Sequence, residues 1–249
     1  MRIRGGYIKA MEATLNDDVA HLDPPSRLLL LLEGRAFAEY GRFLMAWPAL
    51  GRLPRGDGHP VLVLPGFMAS DTSTRPMRKL LKRLGYEARG WKLGRNLGAP
   101  PEIRDAMRAR LAELHRRSGR KVSVIGWSLG GIYAREMARA APSMVRQVIT
   151  LGSPFNGHPT ANNADALFRR MNPGSPVDWE GFRRRRVPPP VPTTAVYSRT
   201  DGIVAWQCSL EDAAPHTENI EVRGSHCGLG VNPQVLKVIA RKLALPEAK

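Results

Sequence analysis

The chain has 249 residues, 43% hydrophobic and 24% charged, which suits one large domain with a core of its own and excludes general disorder. Lys and Arg number 38 against 22 Asp and Glu, most of the cations being arginine, for a formal net charge of +16. No apolar run approaches the roughly 18 residues of a membrane span, the start of the chain has no apolar secretory core, and a cytoplasmic location is the default expectation.

The charge admits three readings: a nucleic-acid surface, affinity for an anionic membrane surface, or solvated arginine. The basic residues are spread over many elements, and no nucleic-acid module accompanies them. Solvated charge is therefore preferred, and nucleic acid is disfavoured as a partner.

In chain order, residues 26–50 follow Pro24 and Pro25 and form an amphipathic helix, with Arg35, Glu39 and Arg42 on one face and Leu29, Leu32, Ala36, Tyr40 and Phe43 on another. Such a helix packs on its own domain or on a twin subunit, or lies at a membrane interface. Residues 1–56 are thus expected to be an N-terminal arm, and residues 57–249 a catalytic domain. Within the latter, strands are expected over 61–64, 86–93, 122–125, 147–151, 193–197 and 219–222. Helices are expected around Met77–Leu84, over 101–117, after residue 128, and over 233–243. This alternation implies a compact α/β architecture, a mostly parallel sheet of about six strands flanked by helices, with functional groups at the strands' C-terminal ends. Residues 155–192 break the rhythm with Asn, Pro and Gly, one short helical stretch at 164–171 and the arginine run 183–186, read as a solvated loop. A connection this long is expected to be a small cap over the site.

The stretch VSVIGWSLGGIYA, residues 122–134, runs from a buried strand into a helix through Gly126-Trp127-Ser128-Leu129-Gly130. A serine on such a turn is held in a strained conformation with its oxygen exposed, and the flanking glycines let strand and helix pass closely. Serine needs a base, and the base needs a carboxylate to orient it. The strand TTAVYS leads to Asp201 and the next strand, NIEV, leads to His226, giving the order Ser128, Asp201, His226. His21, His59, His115, His158 and His216 fit less well, and Asp178 and Asp212 are rival acids in irregular segments. An oxyanion needs two aligned donors. The N–H of Leu129 follows the nucleophile, and the loop VLVLPGFMAS offers Phe67, with Met68 as the next candidate. Met68, Trp127, Phe155 and Trp206 lie on loops expected around Ser128 and are candidates for an apolar substrate pocket, with plain packing as the equal alternative. No metal-ligand cluster or phosphate-binding loop is recognisable, so no cofactor is expected.

VLVLPGF, GWSLGG, TLGSP, SRTDGIV and GSHCGL, in this order over residues 60–245, resemble an α/β-hydrolase of the bacterial lipase and esterase type. The resemblance implies the α/β-hydrolase fold and a Ser-His-Asp hydrolase of small-molecule or lipid esters, with no cofactor and an oxyanion hole made by Phe67 and Leu129. Two departures stand out: Pro65 occupies a position often held by histidine in lipases, and no antiparallel hairpin precedes residue 60. Some bacterial lipases of this type tie the acid and histidine loops with a disulfide. The resemblance therefore points to a Cys208–Cys227 bond, against which stand two buried thiols in a reducing compartment. Acyl transfer or thioester cleavage would use the same residues, and a non-catalytic basic lipid- or nucleic-acid-binding protein could use the same fold.

Overall fold

The computed structural model describes residues 22–98, 100–157, 160–173 and 179–247. His21, His158 and Asp178 lie outside these described residues. Helix α1 (Arg27–Leu31), a 3-10 turn (Leu32–Arg35) and helix α2 (Ala36–Leu50) form the N-terminal arm. There follow β1 (Pro60–Leu64), α3 (Asp71–Arg83), β2 (Glu87–Gly90), α4 (Pro101–Ser118), β3 (Val122–Trp127), α5 (Leu129–Ala140) and β4 (Val145–Leu151). The connection to β5 (Thr193–Tyr197) carries α6 (Asp165–Met171) and α7 (Trp179–Arg186), and the chain closes with β6 (Thr217–Glu221) and α8 (Pro233–Leu243).

All six strands pair in parallel, in the order β2-β1-β3-β4-β5-β6. Among the described residues no strand precedes Pro60. The sheet is covered on both faces, so β1, β3 and β4 are buried along nearly their whole length and mostly apolar, with Ser123, Arg146, Gln147 and Thr150 as buried polar exceptions. Period-two geometry sends Val61 and Val63 to one face, where they meet Met77, Leu80 and Leu81 of α3 and Val235, Leu236 and Ile239 of α8. Leu62 and Leu64 go to the other face, against Leu111 and Leu114 of α4 and Tyr133 and Met137 of α5. The carboxyl ends of β1, β3, β4 and β5 thus share one edge, on which the loops after them converge.

Two expectations fail here. The arginine run lies on helix α7 and not in a loop, although four like charges in succession read as solvated coil. The buried Arg135 of α5 donates to the Arg185 and Val187 carbonyls at 2.7 and 3.1 Å, and Arg139 donates to the same two, so the last turn of α7 is satisfied from the core side. The arm, in turn, is seated the opposite way from a simple amphipathic helix. Glu33 and Glu39 are buried, whereas Leu28, Leu31, Leu32 and Tyr40 are exposed. Phe43 and Leu50 do enter the core beneath α2.

Candidate active site

The turn between β3 and α5 places Ser128 at φ 52° and ψ −121°, a region that L-residues occupy at a cost and that functional sites tend to hold. The surroundings enforce it. Ser128 donates its N–H to the Leu151 carbonyl at 2.8 Å, and its own carbonyl accepts from the Ser153 hydroxyl at 2.6 Å. A Cβ at Gly126 would strike the Gly130 carbonyl, and one at Gly130 would strike the Leu64 and Pro65 carbonyls. Strand, turn and helix are therefore closer together than any side chain allows. The Ser128 hydroxyl is half-exposed and makes no hydrogen bond among the described residues.

Asp201 follows β5 and His226 follows β6; both are buried, and His226 Nδ1 lies 2.6 Å from Asp201 Oδ2. The other Asp201 oxygen accepts from the N–H groups of Ile203 and Val204, each at 2.8 Å, which fixes the plane of the carboxylate. The pair lies against Gly152, the residue after Leu151: a Cβ there would approach Asp201 Oδ2 and His226 Nδ1, each at 3.0 Å. Trp127 Nε1 donates to the His226 carbonyl at 3.2 Å, tying the histidine loop to the residue before Ser128. Burial alone would drive the proton off His226. The charge and hydrogen bond of Asp201, with a further contribution from Glu33, outweigh this and raise the imidazole above the ordinary histidine value.

Of the oxyanion candidates, Phe67 and Leu129 have backbone N–H groups that donate to nothing among the described residues, at the end of β1 and the start of α5. Met68 does not serve. Its N–H is spent on the Asn96 carbonyl at 2.7 Å, and its backbone takes a positive φ of 62°. Asn96, fully buried, is a residue that sequence reasoning missed. It donates from Nδ2 to the Pro65 carbonyl at 2.8 Å and accepts from Tyr133 at 3.3 Å, so it holds the loop that presents Phe67. The Phe67 ring packs edge-on against Phe168 of α6, with centroids 5.3 Å apart, bringing the 155–192 connection over this loop.

The arm supplies further residues that the sequence did not point to. Glu33 accepts from Gly202 N–H at 2.7 Å and His226 N–H at 2.9 Å with one oxygen, and from Cys227 N–H at 2.8 Å with the other. Glu39 accepts from the Ser225 N–H at 2.8 Å and hydroxyl at 3.1 Å. Arg35 donates to the Thr200 and Gly224 carbonyls. Asn163, from the long connection, adds bonds to the Pro25 and Gly202 carbonyls at 3.0 and 2.8 Å. The Leu29 carbonyl packs so tightly on Gly202 that no Cβ would fit there. Two buried carboxylates thus grip the backbone of the acid loop and the histidine loop from outside the sheet.

Other expected contributors are placed differently. Phe155 is fully buried with the Arg135 guanidinium 3.8 Å above its ring, so it packs in the interior and lines no accessible pocket. Trp206 stacks on Tyr197 at 5.6 Å and carries Arg199 over its ring at 4.4 Å. The ring of Trp127 packs against Gly230, and Met68 is half-exposed beside Phe67. The Cys208–Cys227 bond is not formed. Cys208 is buried with Ala161, Val204 and Ala205, its sulfur against Gly157, whereas Cys227 faces outward with its N–H held by Glu33. Neighbouring loops do not by themselves aim two sulfurs at each other. Burial pushes the Cys208 thiol up to about 12, and the packing around Cys227, with the Glu33 charge, does the same there. Among the rivals, Asp212 is exposed and accepts from Asn156 at 3.4 Å. His59 is buried between Asp57 and Ser123, and His115 and His216 contact backbone carbonyls.

Comparison with known proteins agrees with this architecture. The alpha/beta hydrolase family model matches residues 61–240. Among solved structures, a metagenome-derived lipolytic enzyme of the LipS and LipT pair superposes with a TM-score of 0.59 at 15% identity, covering 77% of this chain and 94% of its own. Aspergillus fumigatus lipase B gives a TM-score of 0.55 at 17% identity, over 80% of this chain and 55% of its own. Mature Bacillus licheniformis lipase BlEst2 gives 0.52 at 16%, over 78% and 95%. No curated protein sequence matches. The family model spans more than half of the chain, including Ser128, Asp201 and His226, and the chain belongs to the alpha/beta hydrolase family.

Proposed function

We propose that this hydrolase cleaves carboxylic esters through an acyl-enzyme on Ser128. The observation that carries the reading is the buried Asp201–His226 pair, 2.6 Å apart, beside the strained turn that bears an unbonded serine hydroxyl. In this scheme His226 takes the Ser128 proton as Oγ attacks the ester carbonyl carbon, and Asp201 holds the imidazole in the tautomer with Nδ1 protonated. The N–H groups of Phe67 and Leu129 receive the negative charge that develops on the carbonyl oxygen. Collapse breaks the ester C–O bond, and the departing alkoxide takes its proton from His226. Water, deprotonated by His226, then attacks the acyl-enzyme, releasing the acid and returning the proton to Ser128. The serine and histidine need no contact in the free enzyme, since such bonds commonly tighten only when substrate is bound.

The lipases and lipolytic enzymes with similar folds favour ester substrates, and the cap over Phe67 suits an apolar acyl or aryl group. Labelling with a fluorophosphonate, together with turnover of p-nitrophenyl esters of graded chain length, tests the assignment. Wild type should be labelled at Ser128 and turn over esters, while Ser128→Ala should do neither and melt at a similar temperature. Equal turnover by the two proteins would remove Ser128 from the mechanism.

A further inference from the structure

The outward side of the N-terminal arm is not what a water-facing surface looks like. On α2, Phe37, Ala38, Tyr40, Gly41, Leu44 and Met45 fall on an unbroken arc of about 160° without a charged side chain, Phe37 being 88% exposed and Met45 77%. On α1 and the following turn, Leu28, Leu31 and Leu32 are exposed apolar side chains as well, Leu31 at 79%. Contiguous apolar surface of this kind marks a contact site rather than scattered exposure. The polar residues that an ordinary surface helix would turn outward, Glu33 and Glu39, are instead spent inward on the loops of the candidate site.

Beside this face lies an open cleft of about 300 Å³ between α2 and the loops after β5 and β6, lined by Arg35, Arg42, Arg199 and Arg223 with Glu39 and Glu221. Arg35 pairs with Glu39 at 3.7 Å, and Arg199 with Glu221 at 3.0 Å. Arg42 and Arg223, both exposed, pair with no carboxylate among the described residues. The cleft therefore presents two uncompensated guanidinium groups next to an apolar face, on a chain whose net charge is +16.

We propose that this face docks on an anionic lipid bilayer, the apolar arc of α2 and the α1 leucines entering the headgroup boundary while Arg42 and Arg223 receive lipid phosphates. Charge complementarity selects this occupant. Two copies of a chain at +16 repel one another when such faces approach, whereas an anionic surface attracts each arginine near it. An arm of two short helices with one wholly apolar side suits lying in the interface plane. The proposal goes beyond ester hydrolysis and stands without it, since Ser128, Asp201, His226, Phe67 and Leu129 are not among the residues it uses.

Co-flotation of the full chain with vesicles of equal parts phosphatidylglycerol and phosphatidylcholine, and with pure phosphatidylcholine vesicles, tests it. The wild type should bind the anionic vesicles, more weakly at high salt, and bind the neutral ones far less. Phe37→Glu/Met45→Glu should weaken binding by at least about tenfold, and Arg42→Gln and Arg223→Gln by about fivefold each, with no fall in melting temperature. Failure of the wild type to bind anionic vesicles would overturn the proposal. So would unchanged binding by Phe37→Glu/Met45→Glu, which would leave only diffuse charge, and so would a wild-type dimer that this variant converts to monomer, which would make the face an interface between copies. Because none of these readouts is catalytic, their outcome is independent of whether Ser128 acts as the nucleophile.

Discussion

Replacing Glu33 should disable hydrolysis from a position that touches no substrate. Its carboxylate accepts three N–H groups, those of Gly202, His226 and Cys227, at 2.7 to 2.9 Å in a buried setting. Hydrogen bonds to a charged acceptor contribute about 1.5–3 kcal/mol each and a shared acceptor makes them non-additive, so Glu33→Ala should cost about 4 kcal/mol in total. Part of that appears as a lower melting temperature and part as freedom of the histidine loop, where a displacement of about 1 Å lowers the rate about 100-fold. Glu33→Gln keeps one acceptor but turns an NH₂ group toward the Cys227 N–H, and about tenfold is expected from losing roughly 1.4 kcal/mol. The pH profile separates positioning from mere destabilisation. Glu33 contributes to raising His226, which must be neutral to act as base; the acidic limb should therefore lie above the ordinary histidine value in wild type and move to lower pH in Glu33→Gln. The assay is kcat/KM for a soluble p-nitrophenyl ester across pH, on variants shown by circular dichroism to be folded. Activity within about threefold of wild type in Glu33→Ala, with an unmoved acidic limb, would refute the role.

Asn96→Ala removes the donor to the Pro65 carbonyl and the partner of Tyr133 in a fully buried site, so it should destabilise by about 2–4 kcal/mol. Because the loop carrying Phe67 loosens, kcat should fall more than KM rises; an unchanged kcat in the folded variant would separate Asn96 from the oxyanion donors. Thiol titration in denaturant without reductant should find two reactive groups per chain, and none would restore the Cys208–Cys227 bond. In the native protein both thiols, held protonated at neutral pH by pKa values near 12, should react slowly with iodoacetamide.

The sheet was legible because burial on both faces writes itself locally: β1, β3 and β4 each centre on adjacent Val, Ile or Leu residues, and each expected strand exists within a few residues of its expected bounds. Ser128 was legible for the same reason, since glycines at 126 and 130 leave one geometry for a strand running into a helix. Asp201 and His226 could be chosen over their rivals because each lies on the loop that leaves the end of an expected strand. The seating of the arm was not legible. Glu33 and Glu39 look like the water-facing side of an amphipathic helix, and their burial depends on N–H groups 169 to 194 residues away. Helix α7 was missed because its stabilising donors, Arg135 and Arg139, belong to another helix. For Phe155 the sequence leaves pocket lining and packing equally open, because loop position says nothing about which way a ring turns; its burial beneath the Arg135 guanidinium exists only in three dimensions.

The span of the arm's contacts also orders events in folding. Glu33 and Glu39 precede the N–H groups they hold by 169 to 194 residues, so a growing chain carries both carboxylates without partners while the whole sheet between them is synthesised. Long-range contacts of this kind form late, because their loop-closure entropy is met only after local and neighbouring-strand contacts exist. In refolding from denaturant, far-UV circular dichroism should therefore recover before esterase activity, with Glu33→Gln lengthening the interval. Coincident recovery of the two signals would mean that the arm closes with the sheet and not after it.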